Sequence, residues 1–221
     1  MEIKRMIFES PNDWKEFRKG LFTSSNINKL MANKKGQPET ELSDGAITYI
    51  LQLIQNTEGQ QKLEYYSPAM EWGNETEPLA AIRLCEELNL DIDSKEVIYT
   101  SEGGVVFFVG GDKCGGTPDM IFHDSIAEIK CPESDTHLYY KLFVNAENFQ
   151  SECPAYYDQI QMNLFLCQKE FAHFFSFDPR FKKHSTQSHR IIIAADKQRQ
   201  DKILRKIELA HEMKTTFLKS L

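Results

Sequence analysis

At Glu96 the hydrophobic period of this chain changes, and that change restricts the fold more than any other feature. Upstream, apolar residues recur at helical spacing: Trp14, Phe17 and Leu21; Ile27, Leu30 and Met31; Ile47, Ile50, Leu51 and Ile54; then Met70, Leu79, Ile82, Leu84 and Leu88. Downstream, EVIYT, VVFFVG, DMIFH and SIAEIK are short, rich in β-branched and aromatic residues, and separated by the turn-like SEGG, GDKCGG and DS. These segments are expected to form consecutive antiparallel strands, a meander over 96–131. Helical patterns return near 134–149 and 152–169, FAHFFSF and HRIIIAA read as strands, and 196–220 closes as a helix. The order predicts an α/β protein with a mixed central sheet flanked by helices, not a regular βαβ repeat.

Local signals place the boundaries. Ser10-Pro11 opens a short helix as cap and first-turn proline, and Thr23-Ser24-Ser25 opens a second. MANKKGQPETE reads as a loop, and Pro78 is expected to kink the helix from Pro68 to Leu90 or to restart it. No repeat and no Pro/Gly/Ser-rich linker divides the chain. A single domain over 1–221 is therefore expected, with N-terminal helices over 10–90, the strand meander, and helices and strands over 134–221.

Composition narrows the function classes. Hydrophobic residues are 41% of 221, enough for a core without disulfides or structural metals. No apolar run is long enough to span a membrane, and MEIKRMIFESPND has no apolar stretch behind its early cations, so a cytoplasmic protein without membrane contact is expected. The five cysteines form no CxxC and the six histidines no HxH, HxxxH or HExxH, which argues against zinc ribbons, iron–sulfur clusters and histidine metal sites. The net charge of −7 is unevenly spread: +4 over 1–38, −18 over 39–179 and +7 over 180–221. Basic ends around an acidic middle fit a carboxylate metal site beside surfaces for a polyanion, or simply a solvated basic helix at the C-terminus.

The chemistry centres on Thr117-Pro118-Asp119, eight residues, then Glu128-Ile129-Lys130. Asp119 opens one predicted strand and Glu128 lies in the next, across the tight His123-Asp124-Ser125 turn, so pairing brings the carboxylates within a few ångströms. Hard oxygen ligands on rigid strands suit Mg²⁺ or Mn²⁺. Alternation puts Glu128 and Lys130 on one face, where an ammonium can orient a water and stabilise charge on a phosphate. Ile129 turns its side chain to the core while its carbonyl remains free to act as a ligand. Such a group suits metal-assisted phosphodiester hydrolysis. The plainer reading is a surface ion pair on a hairpin.

The PD…ExK core resembles the restriction-endonuclease-like nucleases. The fuller pattern resembles their phage lambda exonuclease branch, the YqaJ-like viral recombinase nucleases. It includes Trp14-x3-Arg18-x-Gly20, Thr23-Ser24-Ser25, Trp72-Gly73-x3-Glu77-Pro78, Thr117-Pro118-Asp119, Glu128-Ile129-Lys130-Cys131-Pro132, Tyr156-x2-Gln159-Ile160-Gln161 and Phe177-Asp178-Pro179-Arg180. The resemblance implies that Asp119, Glu128, the Ile129 carbonyl and Glu77 bind metal, with Lys130, Gln159 and Tyr156 completing the catalytic group. Arg18, Ser25 and Thr117 match positions that grip a terminal 5′ phosphate, Thr117 standing where the family usually has serine. On this resemblance the chain is expected to be a Mg²⁺-dependent exonuclease, Mn²⁺ substituting. It would degrade duplex DNA 5′ to 3′ from phosphorylated ends in phage or prophage recombination inside the bacterial host. A single-strand annealing protein is the implied partner, and a homotrimeric ring the implied assembly of processive members. The competing readings are an endonuclease or structure-specific resolvase of the same fold, and a non-catalytic DNA-end binder. Tyr156, Gln159 and Asn163 are expected to line one helix face opposite the apolar Ile160, Leu164 and Cys167.

Overall fold

The computed structural model describes residues 1–32, 38, 41–59, 67–100 and 105–221. Most of the MANKKGQPETE loop and the whole SEGG turn lie outside these residues. The chain opens with β1 (Ile3–Phe8), which the sequence reading does not anticipate: Lys4-Arg5 interrupts the alternation, and its partner strand comes much later. In α1 (Pro11–Phe17) the Ser10 hydroxyl accepts from the Asn12 amide at 3.2 Å and Pro11 occupies the first turn. β2 (Phe22–Thr23) leads through a 3-10 turn at Ser24–Asn26 to α2 (Asn28–Met31). Ser43 and Ser67 then cap α3 (Asp44–Glu58) and α4 (Pro68–Leu88).

The restart considered at Pro78 does not occur: α4 runs as one helix through it. Pro78 and Asn74 are both exposed, so the Asn74 carbonyl, to which Pro78 has no N–H to offer, lies on the solvated side of the helix.

Next come β3 (Ile98–Tyr99), β4 (Val105–Gly110), β5 (Cys114–Gly116), β6 (Met120–Ile121) and β7 (Ser125–Lys130). They do not form the expected single meander. β4 and β5 pair with β1 and β2 in one sheet, ordered β1-β4-β5-β2, while β3, β6 and β7 belong to another. The cause is two-sided burial of VVFFVG: Val106 packs into one apolar cluster, whereas Phe107 and Val109 join Leu21 in a second. GDKCGG is likewise not all turn. A Cβ at Gly115 would collide with the Phe107 ring, and one at Gly116 would lie against the Asn163 side chain and 2.7 Å from Ser24 Oγ. These glycines allow β5 to pass between its neighbours.

The predicted helix over 134–149 ends early, as α5 (Ser134–Phe143), followed by α6 (Phe149–Glu152). Between them Asn145 Oδ1 accepts from the Glu147 amide at 2.9 Å and Asn148 Oδ1 from the Asn145 amide at 2.8 Å, an alternative to helical bonding. α7 (Pro154–Cys167), β8 (Phe171–Phe177), β9 (Ser188–Ala194) and α8 (Lys197–Leu218) complete the chain.

The second sheet has the order β3-β6-β7-β8-β9, antiparallel except for the parallel β7–β8 pair. Ala80, Ala81 and Leu84 of α4 cover one face, against Met120, Ile129, Phe175 and Phe177. Ile160 and Leu164 of α7 pack on the other, with Phe149 and Phe174. Met162 and Leu166 face away from that sheet, toward Leu30, Ile50 and Ile207. α7 is therefore buried nearly all round, and the expected contrast of a polar and an apolar face fails: Asn163 is as buried as Leu164. The expected α/β architecture, a mixed sheet between helices, is what the structure shows.

Replacement of Gly115 by Ala should lower stability by about 1–3 kcal/mol, because Phe107 must shift to admit a methyl group. Urea denaturation checks this, and an unchanged midpoint would mean that the β4–β5 contact is slack.

Candidate active site

The β6–β7 hairpin sets the geometry. The Asp119 amide donates to the Ala127 carbonyl at 3.0 Å, and the Asp119 carbonyl accepts from the Thr100 amide at 3.1 Å, so the residue is held on both strand edges. Its Oδ2 accepts from the Ile129 amide at 2.6 Å. Glu128, 1% exposed, receives two donors on Oε1: Lys130 Nζ at 2.5 Å and Gln159 Nε2 at 2.5 Å. Its Oε2 is buried with no partner among the described residues. The Lys130 ammonium lies 5.2 Å from the centroid of the Tyr156 ring, and the Lys130 side chain is 24% exposed. Ile129 turns into the core under α4, as alternation requires. From α4, Glu77 Oε1 accepts from Tyr99 Oη at 3.0 Å. The structure thus gathers Asp119, Glu128, Lys130, Gln159 and Tyr156 at one end of the sheet, with Glu77 beside them.

The three residues matched to a phosphate grip are less closely grouped. Arg18 lies with its guanidinium 4.5 Å from the Trp14 ring centroid and lines a cavity of about 760 Å³, together with Lys15, Lys19, Lys29, Thr23 and Asn26. Ser25 is exposed outside that lining but touches it, its Oγ lying 3.4 Å from Thr23 Oγ1 and 3.5 Å from Asn26 Nδ2. Thr117 is also outside the lining, and its hydroxyl is buried with no partner among the described residues. Sequence reading missed the roles of Tyr99, Asn26 and Lys29 as neighbours of these groups, since none belongs to a motif. It placed Asn163 on a helix line but did not foresee its burial with both amide atoms unpartnered among the described residues.

A model of the YqaJ-like viral recombinase domain matches residues 13–170. The chain belongs to the YqaJ-like viral recombinase family. The fold of this recombinase-family chain is similar to that of an alkaline exonuclease (LHK-Exo) from Laribacter hongkongensis, at a TM-score of 0.70 and 21% identity over 95% of each chain. The same values hold for LHK-Exo in complex with dAMP. It is also similar to a phage-related exonuclease from Haemophilus somnus 129PT, at 0.72 and 14% identity over 90% of this chain and 96% of that one. The shared architecture is the restriction-endonuclease-like fold. No curated protein matches the chain in sequence.

The electrostatics around Asp119 and Glu128 are those of a carboxylate pair short of positive charge. Burial, then the charges of Asp119 and Glu77, push the Glu128 carboxyl up to about 8, against the pull of Lys130. Burial also raises Asp119, opposed by Lys130 and by the Ile129 N–H. For Lys130, burial disfavours the charge, but Glu128 and Asp119 outweigh it and hold the ammonium above the usual lysine range. No cluster of three metal-ligating acids, histidines or cysteines is drawn together among the described residues. What stands there is an orphaned, buried Glu128 oxygen beside a second carboxylate, a donor set that fits a hard divalent ion retaining several waters.

A carboxyl raised in the folded state keeps its proton where the unfolded chain releases it, so stability falls as pH rises through that window. In chelator, thermal stability should decline between about pH 4.5 and about 8. Glu128→Gln should flatten the decline, and added Mg²⁺ should raise the Tm more near pH 8 than near pH 5. A Tm indifferent to Mg²⁺ at both would reject the metal fit.

Proposed function

We propose that the protein is a divalent-metal-dependent DNA exonuclease, one nuclease domain over 1–221, that hydrolyses duplex DNA from 5′-phosphorylated ends toward the 3′ end in phage-type recombination. The observation that carries this reading is the buried Glu128 carboxylate, tied to Lys130 and Gln159 through one oxygen and left with the other, next to Asp119, without a partner among the described residues. The names of the structurally similar proteins, both exonucleases, support it, as does the family.

Asp119, Glu128, Glu77 and the Ile129 carbonyl would hold Mg²⁺, with Mn²⁺ able to substitute. The bound ion would supply charge neutralisation at the scissile phosphate and a water of lowered pKa. Lys130, held cationic by its acidic neighbours, would orient the attacking water and face the developing phosphate charge. Gln159 engages Glu128 Oε1, which leaves Oε2 for the ligand role, and Tyr156 lies beside the Lys130 ammonium and limits its swing. The basic cavity at Arg18, with Ser25 at its rim and Thr117 on the strand connection toward Asp119, would receive the terminal phosphate. A single-strand annealing partner and a ring-shaped homotrimer belong to the same reading.

On end-labelled duplex, chelator should stop degradation. Asp119→Ala, Glu128→Ala and Lys130→Ala should each reduce the rate by at least about a hundredfold in folded protein, without additivity. Substantial activity in Lys130→Ala would reject its role.

End recognition is tested by a two-by-two comparison. Arg18→Ala should slow 5′-phosphorylated duplex by about tenfold or more and 5′-hydroxyl duplex hardly at all, since a charge-assisted contact contributes about 1.5–3 kcal/mol. Equal loss on both substrates would make Arg18 structural or a general backbone contact.

A further inference from the structure

The Phe177-Asp178-Pro179-Arg180 segment at the end of β8 takes no part in the chemistry proposed for the site, yet it is built to unusual closeness. Asp178 is 0% exposed, and Arg180 grips it as a fork, Nε to Oδ1 at 2.8 Å and Nη2 to Oδ2 at 3.0 Å. The Arg180 amide donates to Oδ1 at 3.0 Å, and Ser134 Oγ donates to Oδ2 at 2.6 Å. The plane of the guanidinium is therefore set by a buried acid, although the Arg180 side chain is 39% exposed. From that fixed plane Nη2 reaches the Pro132 carbonyl at 3.3 Å, Nη1 reaches Glu133 Oε2 at 3.3 Å, and Cζ lies over the Trp72 ring, 4.2 Å from its centroid.

These contacts join Glu77 to the Asp119–Glu128 pair, two parts of the site that the backbone does not join. Asp119, Glu128 and Lys130 share one hairpin, so strand pairing sets their spacing. Glu77 arrives on α4. Beyond it, Ala80, Ala81 and Leu84 seat the helix on the sheet. Before it, Trp72 meets Arg180, which also holds the backbone two residues past Lys130. Glu77 is thus bracketed by an apolar seat on one side and a cation–aromatic clamp on the other. Arginine suits the clamp, because only a planar guanidinium can fork onto a carboxylate and stack on an indole at once.

We propose that Arg180 is a positioning residue for Glu77: anchored on Asp178, it ties Trp72 of α4 to the segment leaving β7 and sets how closely Glu77 approaches the Asp119–Glu128 pair. The inference rests on the metal-dependent reading of that site. Arg180 touches no reacting group in it; its effect passes through the helix that carries Glu77.

The test is a double-mutant cycle read by Mn²⁺ binding in calorimetry, without DNA. Arg180→Lys keeps a cation but loses the fork and the flat face, and Trp72→Leu leaves the Asp178–Arg180 pair intact. Each should weaken Mn²⁺ binding by about tenfold, the low end for residues that orient a ligand from behind. In a Glu77→Gln background each should change it by less than about twofold, because the group they position is already gone. Arg180→Ala strands the buried Asp178 carboxylate, so the two gentler variants carry the test if it does not fold. Equal losses in both backgrounds would overturn the proposal, as would a Glu77→Gln variant that binds Mn²⁺ like the wild type. Unchanged Mn²⁺ affinity with weakened DNA binding would also overturn it, assigning Arg180 to the substrate instead. If the wild type binds no Mn²⁺, or Asp119→Asn binds it equally well, the metal reading itself fails, and that outcome is distinct from the others.

Discussion

A single buried carboxylate governs how this molecule is put together. Glu128 sits on the inner strand of a sheet, covered by α4 on one face and α7 on the other, where an isolated charge would cost several kcal/mol. Lys130 on the same strand face and Gln159 from α7 offset part of that cost by sharing one oxygen. The other oxygen is buried with no donor among the described residues, and Asp119 and Glu77 add repulsion rather than relief. A fold selected for stability alone would place an apolar residue here. The proposed function accounts for keeping the acid, since a cation would there complete the site.

The surrounding architecture serves that position through α7. Because the helix lies between the five-stranded sheet and the α2–α3–α8 layer, its polar residues become ties between elements. Asp158 pairs with Arg199 at 2.6 Å, and Gln161 joins the Ala194 carbonyl at 2.8 Å and the Asp196 amide at 2.7 Å. Together these lock α7 to β9 and α8, and a locked α7 presents Tyr156 and Gln159 to Lys130 and Glu128 in one geometry.

The same logic reassigns much of the positive charge. The basic residues after Arg180 look, as a composition, like a surface for a polyanion. In the structure Arg199 is committed to Asp158, Lys206 is 1% exposed with its ammonium on the Glu41 carbonyl, and Lys214 donates to the Gly20 carbonyl. Those three cations hold α8 in place. At the N-terminal end Lys15, Arg18, Lys29 and Lys19, itself paired with Glu16, line a cavity wide enough for a phosphate and more.

What the residues alone determined is what local physics controls. Alternation placed Glu128 and Lys130 on one face with Ile129 on the other, and a short turn between β6 and β7 brought Asp119 beside them; the Ser10 cap and the long helices were legible for the same reason, whereas Thr23-Ser24-Ser25 caps no helix through a side chain. Pairings between distant segments were decided only by tertiary structure. β1 became a strand because β4 needed a partner, VVFFVG left the meander because both its faces required cover, and Asn163 was buried because a second layer closed over α7. Burial on a second face leaves no period in the sequence, and a partner far along the chain leaves no spacing. The placement of Glu77 beside the hairpin, with Arg180 and Trp72 behind it, is of that second kind: three segments meet there, and none of them carries a local signal that it will meet the others.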